Sequence, residues 1–105
     1  MSMIAQTPEP PYYAVIFSSV RTGINEGYAD MANKMVQLAA EQPGFLGMES
    51  ARDGLGITVS YWDSLEAIKN WKNNLAHLEA QKLGHEKWYS HFKTRICKVE
   101  RDYGI

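Results

Sequence analysis

The sequence predicts an α+β domain with the element order β-α-β-β-α-β, a four-stranded antiparallel sheet carrying both helices on one face. Three observations carry that expectation. Short runs rich in β-branched and aromatic residues alternate with longer runs of helical periodicity. An Asp53-Gly54 pair stands between two extended runs, the usual chemistry of a tight hairpin turn. The first and third strands carry apolar or aromatic residues on both faces, whereas a sheet with one solvated face alternates between apolar and polar.

Residues 1–11 close on Pro8, Pro10 and Pro11, which removes backbone donors and predicts a loose, extended N-terminal arm. A single domain is expected over 12–105. Tyr12 to Val20 reads as the first strand, with Tyr12, Ala14 and Ile16 on one face and Tyr13, Val15 and Phe17 on the other. Thr22, Gly23 and Asn25 end it. From Glu26 the apolar positions become Tyr28, Met31, Ala32, Met35, Leu38 and Ala39, one stripe of a helix. Asn25 is the expected N-cap and Pro43-Gly44 the stop. Phe45 to Arg52 and Leu55 to Trp62 are the hairpin strands. Asp63-x-x-Glu66 resembles a capping box and opens a second helix on Leu65, Ile68, Trp71, Leu75 and Leu78, which Asn73-Asn74 would bend or interrupt. Gly84 breaks the helical run again, and Glu86 to Tyr89 suits one further turn. Phe92 to Tyr103 reads as the last strand. This order is the split βαβ arrangement of ferredoxin-like folds. Two helices cover only one sheet face, so the other needs a cover, and the sheet of a second copy is the simplest one.

Composition narrows the function classes. The chain has 105 residues, a net charge of -1, 45% hydrophobic and 22% charged residues, an ordinary globular balance. No basic stripe suggests nucleic acid, no apolar run has the length of a membrane span, and residues 1–10 do not read as a signal peptide. One cysteine, Cys97, leaves no internal disulfide and fits a reducing compartment, so the cytoplasm is the expected location.

Chemical motifs are few. There is no Gly-rich phosphate loop, CxxC, GxSxG or HExxH, and His77, His85 and His91 lack metal-ligand spacing, so neither metal nor cofactor is expected. Phe17, Met31, Met35 and Trp71 suit plain core packing or the lining of a pocket for a flat apolar ligand. His77 is six residues beyond Trp71. Six residues turn a straight helix by about 600°, so the two converge on one cavity only if the helix bends near Asn73-Asn74. Otherwise Trp71 is core and His77 a surface or capping residue. Cys97 reads as a small buried hydrophobe, with no neighbouring base to activate it.

The strand ending in Tyr61-Trp62, followed by Asp63-Ser64-x-Glu66-Ala67, Trp71 and His77-x-x-Ala80-Gln81, resembles the antibiotic biosynthesis monooxygenase domain family. Pro43-Gly44-Phe45 and the helix before it also fit, and the resemblance spans roughly residues 12–103. It implies a dimeric α+β barrel, in which two ferredoxin-like sheets pack together as a homodimer. It also implies relatives of three sorts: cofactor-independent monooxygenases of phenolic or polyketide rings, haem-degrading enzymes, and proteins without assigned chemistry. The haem-degrading branch has a strand-one Asn, a helix-two Trp and a His about ten residues after that Trp. Here only Trp71 matches, position 81 is Gln81, and the first strand holds no Asn. Under the monooxygenase reading, Trp71 holds the ring and His77 is the base or donor, its ordinary pKa near 6.5 suiting proton transfer at neutral pH. A non-enzymatic small-ligand binding protein of the same fold is the alternative.

Overall fold

The computed structural model describes residues 3–76 and 87–105. Gly54 sits at φ +78°, in the left-handed region that glycine adopts freely, and it closes the hairpin with Asp53 paired to Leu55. The elements are β1 (Tyr12–Arg21), α1 (Tyr28–Ala40), β2 (Phe45–Asp53), β3 (Leu55–Trp62), α2 (Leu65–Ala76) and β4 (Tyr89–Val99). The four strands lie in the order β2-β3-β1-β4, with every neighbouring pair antiparallel, which is the ferredoxin-like α+β arrangement.

Several boundaries differ from the sequence reading for local reasons. Strand β4 begins at Tyr89 rather than Phe92 and ends at Val99 rather than Tyr103. Val99 pairs with Tyr12, and the residue before Tyr12 is Pro11, which has no N–H to extend the ladder. Helix α1 is capped at Gly27, at φ +78° and without a side-chain bond, not at Asn25. Asn25 instead accepts the Tyr28 amide at its carbonyl and an Arg21 N–H at its side chain. At α2 the capping oxygen is Ser64 Oγ, which accepts the Ala67 amide at 3.1 Å, one residue later than the Asp63 box implied. The helix then runs through Asn73 and Asn74 without a break, and Asn74 reaches across to Gln42 at 2.7 Å. The expected interruption at Gly84, the candidate His77 and Gln81 lie outside the described residues, and of the turn expected over Glu86 to Tyr89, Tyr89 is instead the first residue of β4.

The core lies between the sheet and the helices. Trp62 and Ala39 are fully buried, with Ala67, Ile68 and Trp71 beside them and Tyr13, Val15, Leu38, Phe45 and Met48 around them. The Trp62 ring stacks on Trp71 at 6.0 Å and meets the edge of Phe45, while its indole N–H donates to Ser60, so no polar group is lost in this packing.

The opposite face has no helix. Tyr12, Ala14 and Ile16 of β1 lie there beside Tyr61, Val59, Ile57 and Leu55 of β3, and Leu55 and Ile57 are 51% and 40% exposed. The N-terminal arm, expected to be loose, is tied to one end of this face. The Ala5 amide donates to Glu49 at 3.0 Å, Tyr61 donates to the other Glu49 oxygen, and Thr7 donates to the Tyr12 hydroxyl. Tyr12 in turn donates to Asp102 at 2.5 Å, which binds the arm and the C-terminal segment through one phenol. Among the described residues, no helix is long and apolar enough to cross a membrane.

Candidate functional site

A second group of aromatic residues gathers four residues further along β1 from Tyr13, about 13 Å at about 3.3 Å per strand residue. Phe17 meets Tyr89 edge-on at 5.3 Å and lies against Phe92 at 5.6 Å, both from β4. Tyr28, the first residue of α1, meets Tyr89 at 6.0 Å and Trp88 at 5.8 Å. All but Trp88 are half-buried, so their rings form a partly open wall.

Backbone irregularities place these rings. The β1–β4 register slips between Val20 and Arg21, which pair with His91 and Tyr89, leaving Ser90 as the extra residue. Simple alternation from Phe92 would turn Tyr89 to the helix-free face. The bulge turns it toward α1 instead, a common use of bulges beside functional sites. Buried Trp88 holds the loop before α1 in place: its indole N–H donates to the Glu26 carbonyl at 3.0 Å, and its own carbonyl accepts the Thr22 amide at 2.8 Å. Thr22 Oγ1 also donates to the Lys87 carbonyl at 2.7 Å.

Two guanidinium groups accompany the phenols. Arg21 lies over the Tyr28 ring, its Cζ 3.3 Å from the centroid, and donates to the Ile24 carbonyl and to Asn25. Arg52 reaches from β2 across β3 to β1, where it donates to Ser19 Oγ at 2.6 Å and to the Ser19 carbonyl at 3.2 Å. Gly56 permits this crossing, since a Cβ there would run into the guanidinium. The Tyr89 hydroxyl faces Tyr28's at 3.4 Å, a long hydrogen bond. Burial, and then the bond to Tyr28, push the Tyr89 phenol well above its ordinary range, while Arg52 and Arg21 pull in the opposite direction. At neutral pH both the burial and the bond favour a neutral phenol that donates hydrogen bonds and does not act as a base.

The residues expected from sequence divide between the two groups. Phe17 belongs to the phenol group. Met31 and Met35 are half-buried on α1, in the stripe with Tyr28, Leu38 and buried Ala39. Trp71 lies in the core against Trp62, at the Tyr13 end, so the structure does not bring it into the ring contacts of Phe17. His77 lies outside the described residues. Tyr89, Arg21, Arg52 and Trp88 were not singled out by sequence reasoning. Only Gly56, a glycine inside a strand, signalled a close approach there.

The sheet order, the two helices on one face and this half-open aromatic group define a class of small α+β proteins, and the comparisons identify it. The family model for antibiotic biosynthesis monooxygenase matches residues 11–83, and the chain belongs to that family. It is 53% identical over 103 residues to the uncharacterized protein YqjZ of Bacillus subtilis, covering 96% of this chain and 90% of that protein. Among solved structures it is similar to SnoaB, a cofactor-independent oxygenase from Streptomyces nogalater. That likeness has a TM-score of 0.74 at 11% identity and covers 89% of this chain and 97% of that one. The Pseudomonas aeruginosa protein PA3566 is similar at a TM-score of 0.69 and 17% identity, over 91% and 99% of the two chains. At such identities the structural likeness is one of fold.

Proposed function

We propose that this protein is a cofactor-independent monooxygenase that oxidises a small, flat, phenolic or polyketide-like ring with dioxygen, as a homodimer in the cytoplasm. The observation that carries the reading is the pair of facing phenols, Tyr28 and Tyr89, set between two guanidinium groups against an aromatic wall. An electron-rich phenol becomes reactive toward oxygen when it loses its proton, and neutral phenol donors with nearby cations stabilise the anion that results. Family membership and the fold shared with SnoaB, itself a cofactor-independent oxygenase, support the reading. In this scheme Phe17, Met31 and Met35 hold the ring, Trp71 stiffens the neighbouring core, and His77 takes the phenol proton. The thiol of Cys97 is exposed on the edge strand β4, not buried as expected, and suits a reducing compartment. The partly exposed apolar face of β1 and β3 suits a second copy.

Oxygen uptake with a hydroquinone-type compound, measured without added flavin or metal, tests the activity. Uptake should exceed the protein-free rate and fall about 10²-fold in His77→Ala, since a general acid–base group contributes roughly 10²–10⁴. One observation favours a second reading, a non-enzymatic ligand-binding protein: burial and the bond to Tyr28 hold the Tyr89 phenol neutral, so it is unsuited to act as a base. That reading predicts ligand affinity without oxygen uptake from any compound tried.

A further inference from the structure

We propose that Arg52 and Arg21 form an anion subsite that selects aromatic carboxylates, so the ligand of the phenol group is a flat aromatic acid rather than a neutral phenol. The inference rests on the proposed ligand site at Phe17, Tyr28 and Tyr89, but not on the oxygen chemistry assigned to it.

Both guanidinium groups are built into place and lack counter-charges. The protein acceptors of Arg52 are the hydroxyl and carbonyl of Ser19, and those of Arg21 are the Ile24 carbonyl and the Asn25 side chain. All are neutral, and among the described residues neither arginine meets a carboxylate. Arg21 Nε is buried with no acceptor. A buried donor left unpaired is expensive, and such an atom in a native fold calls for an explanation. Arg52 is held at one end by buried Ser19, yet the side chain as a whole is exposed, so the rest of its planar fork of N–H donors remains open to a ligand. A guanidinium fixed in this way matches the two oxygens of a carboxylate, with little further entropy lost on binding. The Tyr28 hydroxyl, which accepts from Tyr89, can donate in turn, and the rings of Phe17, Tyr89 and Phe92 supply a flat apolar surface. Gly56 keeps the path of Arg52 across β3 clear.

Isothermal titration with 3-hydroxy-2-naphthoate and with 2-naphthol separates the carboxylate from the ring. At low salt the naphthoate should bind about tenfold tighter than the naphthol or better, because charge-assisted hydrogen bonds are about twice as strong as neutral ones. That advantage should shrink at about 0.5 M sodium chloride. Arg52→Gln should abolish the preference by weakening the naphthoate more than the naphthol, while Arg52→Lys, which keeps the charge and loses the fork, should retain only part of it. Circular dichroism and melting temperature check that each variant folds, and Arg21→Gln provides the same comparison from the other side of the site. Equal affinities in the native protein, a preference that survives Arg52→Gln, or no binding of either compound at about 1 mM would each overturn the proposal. Oxygen uptake is a separate readout. A naphthoate preference without uptake would retire the monooxygenase reading and leave the subsite standing, and uptake without the preference would do the reverse.

Discussion

At the scale of single residues, the molecule depends on where it keeps its rings. Trp62 is fully buried, with its indole N–H satisfied, and Trp62→Ala should cost about 3–5 kcal/mol, read by urea denaturation. A loss well under 1 kcal/mol would mean that the stacked pair with Trp71 is not the centre of the core. Tyr89 makes a different prediction. Burial and the bond to Tyr28 hold its neutral form, so its pKa in the fold lies above the ordinary 10.0 that it has when unfolded. The stability carried by the neutral phenol is therefore complete below about pH 10 and is lost as the pH rises toward the folded value. Melting temperatures from about pH 8 to about pH 11 should fall less steeply for Tyr89→Phe than for the native protein, and parallel curves would contradict the placement of Tyr89. The aromatic identity of Phe17 and Trp71 was legible in the sequence. The role of Tyr89 was not, because a single extra residue in β4 decides which face it occupies, and side-chain alternation carries no trace of a bulge. Arg52 was hidden for a related reason: its function depends on a partner two strands away.

At the scale of elements, two glycines with similar backbone angles should respond differently to a methyl group. Gly54 has φ +78° and open space where a Cβ would go, whereas Gly44 has φ +87° and a Cβ there would lie 2.6 Å from that of Ala67. Gly54→Ala should cost about 1–2 kcal/mol, the left-handed penalty alone. Gly44→Ala should cost distinctly more, because α2 must also move away, and denaturant midpoints for the two variants check the order. The hairpin was readable because Asp-Gly specifies its own turn. Strand and helix centres were readable because their periodicities differ. The ends were not, since they depend on contacts between elements: Pro11 terminates β4 by failing to pair beyond Val99, and Ser64 rather than Asp63 caps α2. The stripe on α1 proved reliable, with Met31, Ala32, Met35, Leu38 and Ala39 all turned from solvent.

At the scale of the whole molecule, the sheet face without helices is the dominant unsettled surface. On the dimer reading, the protein should elute at about twice its 11.9 kDa chain mass, and Val59→Asp, on that face beside Ile57, should give monomers or unfolded chain, since an unpaired buried charge costs several kcal/mol. A native-like monomer at micromolar concentration would refute it. The expectation of a second copy rests on the two apolar faces of the first and third strands, which are legible in the sequence. The arm tied across one end of the same face was not, because its anchors are backbone groups and carboxylates far along the chain.

The pairing of Tyr12 with Val99 also governs how the molecule would respond to mechanical load. The chain enters β1 and leaves β4 at the same end of the sheet, and these two strands are neighbours. Tension applied to the two ends would pull the strands apart across their hydrogen bonds, which run perpendicular to the strands. The bonds would be loaded one pair at a time from Tyr12 inward, not sheared all at once. In a single-molecule pulling experiment the domain should unzip at low force, once the Ala5–Glu49 and Tyr12–Asp102 bonds that tie the two ends have yielded.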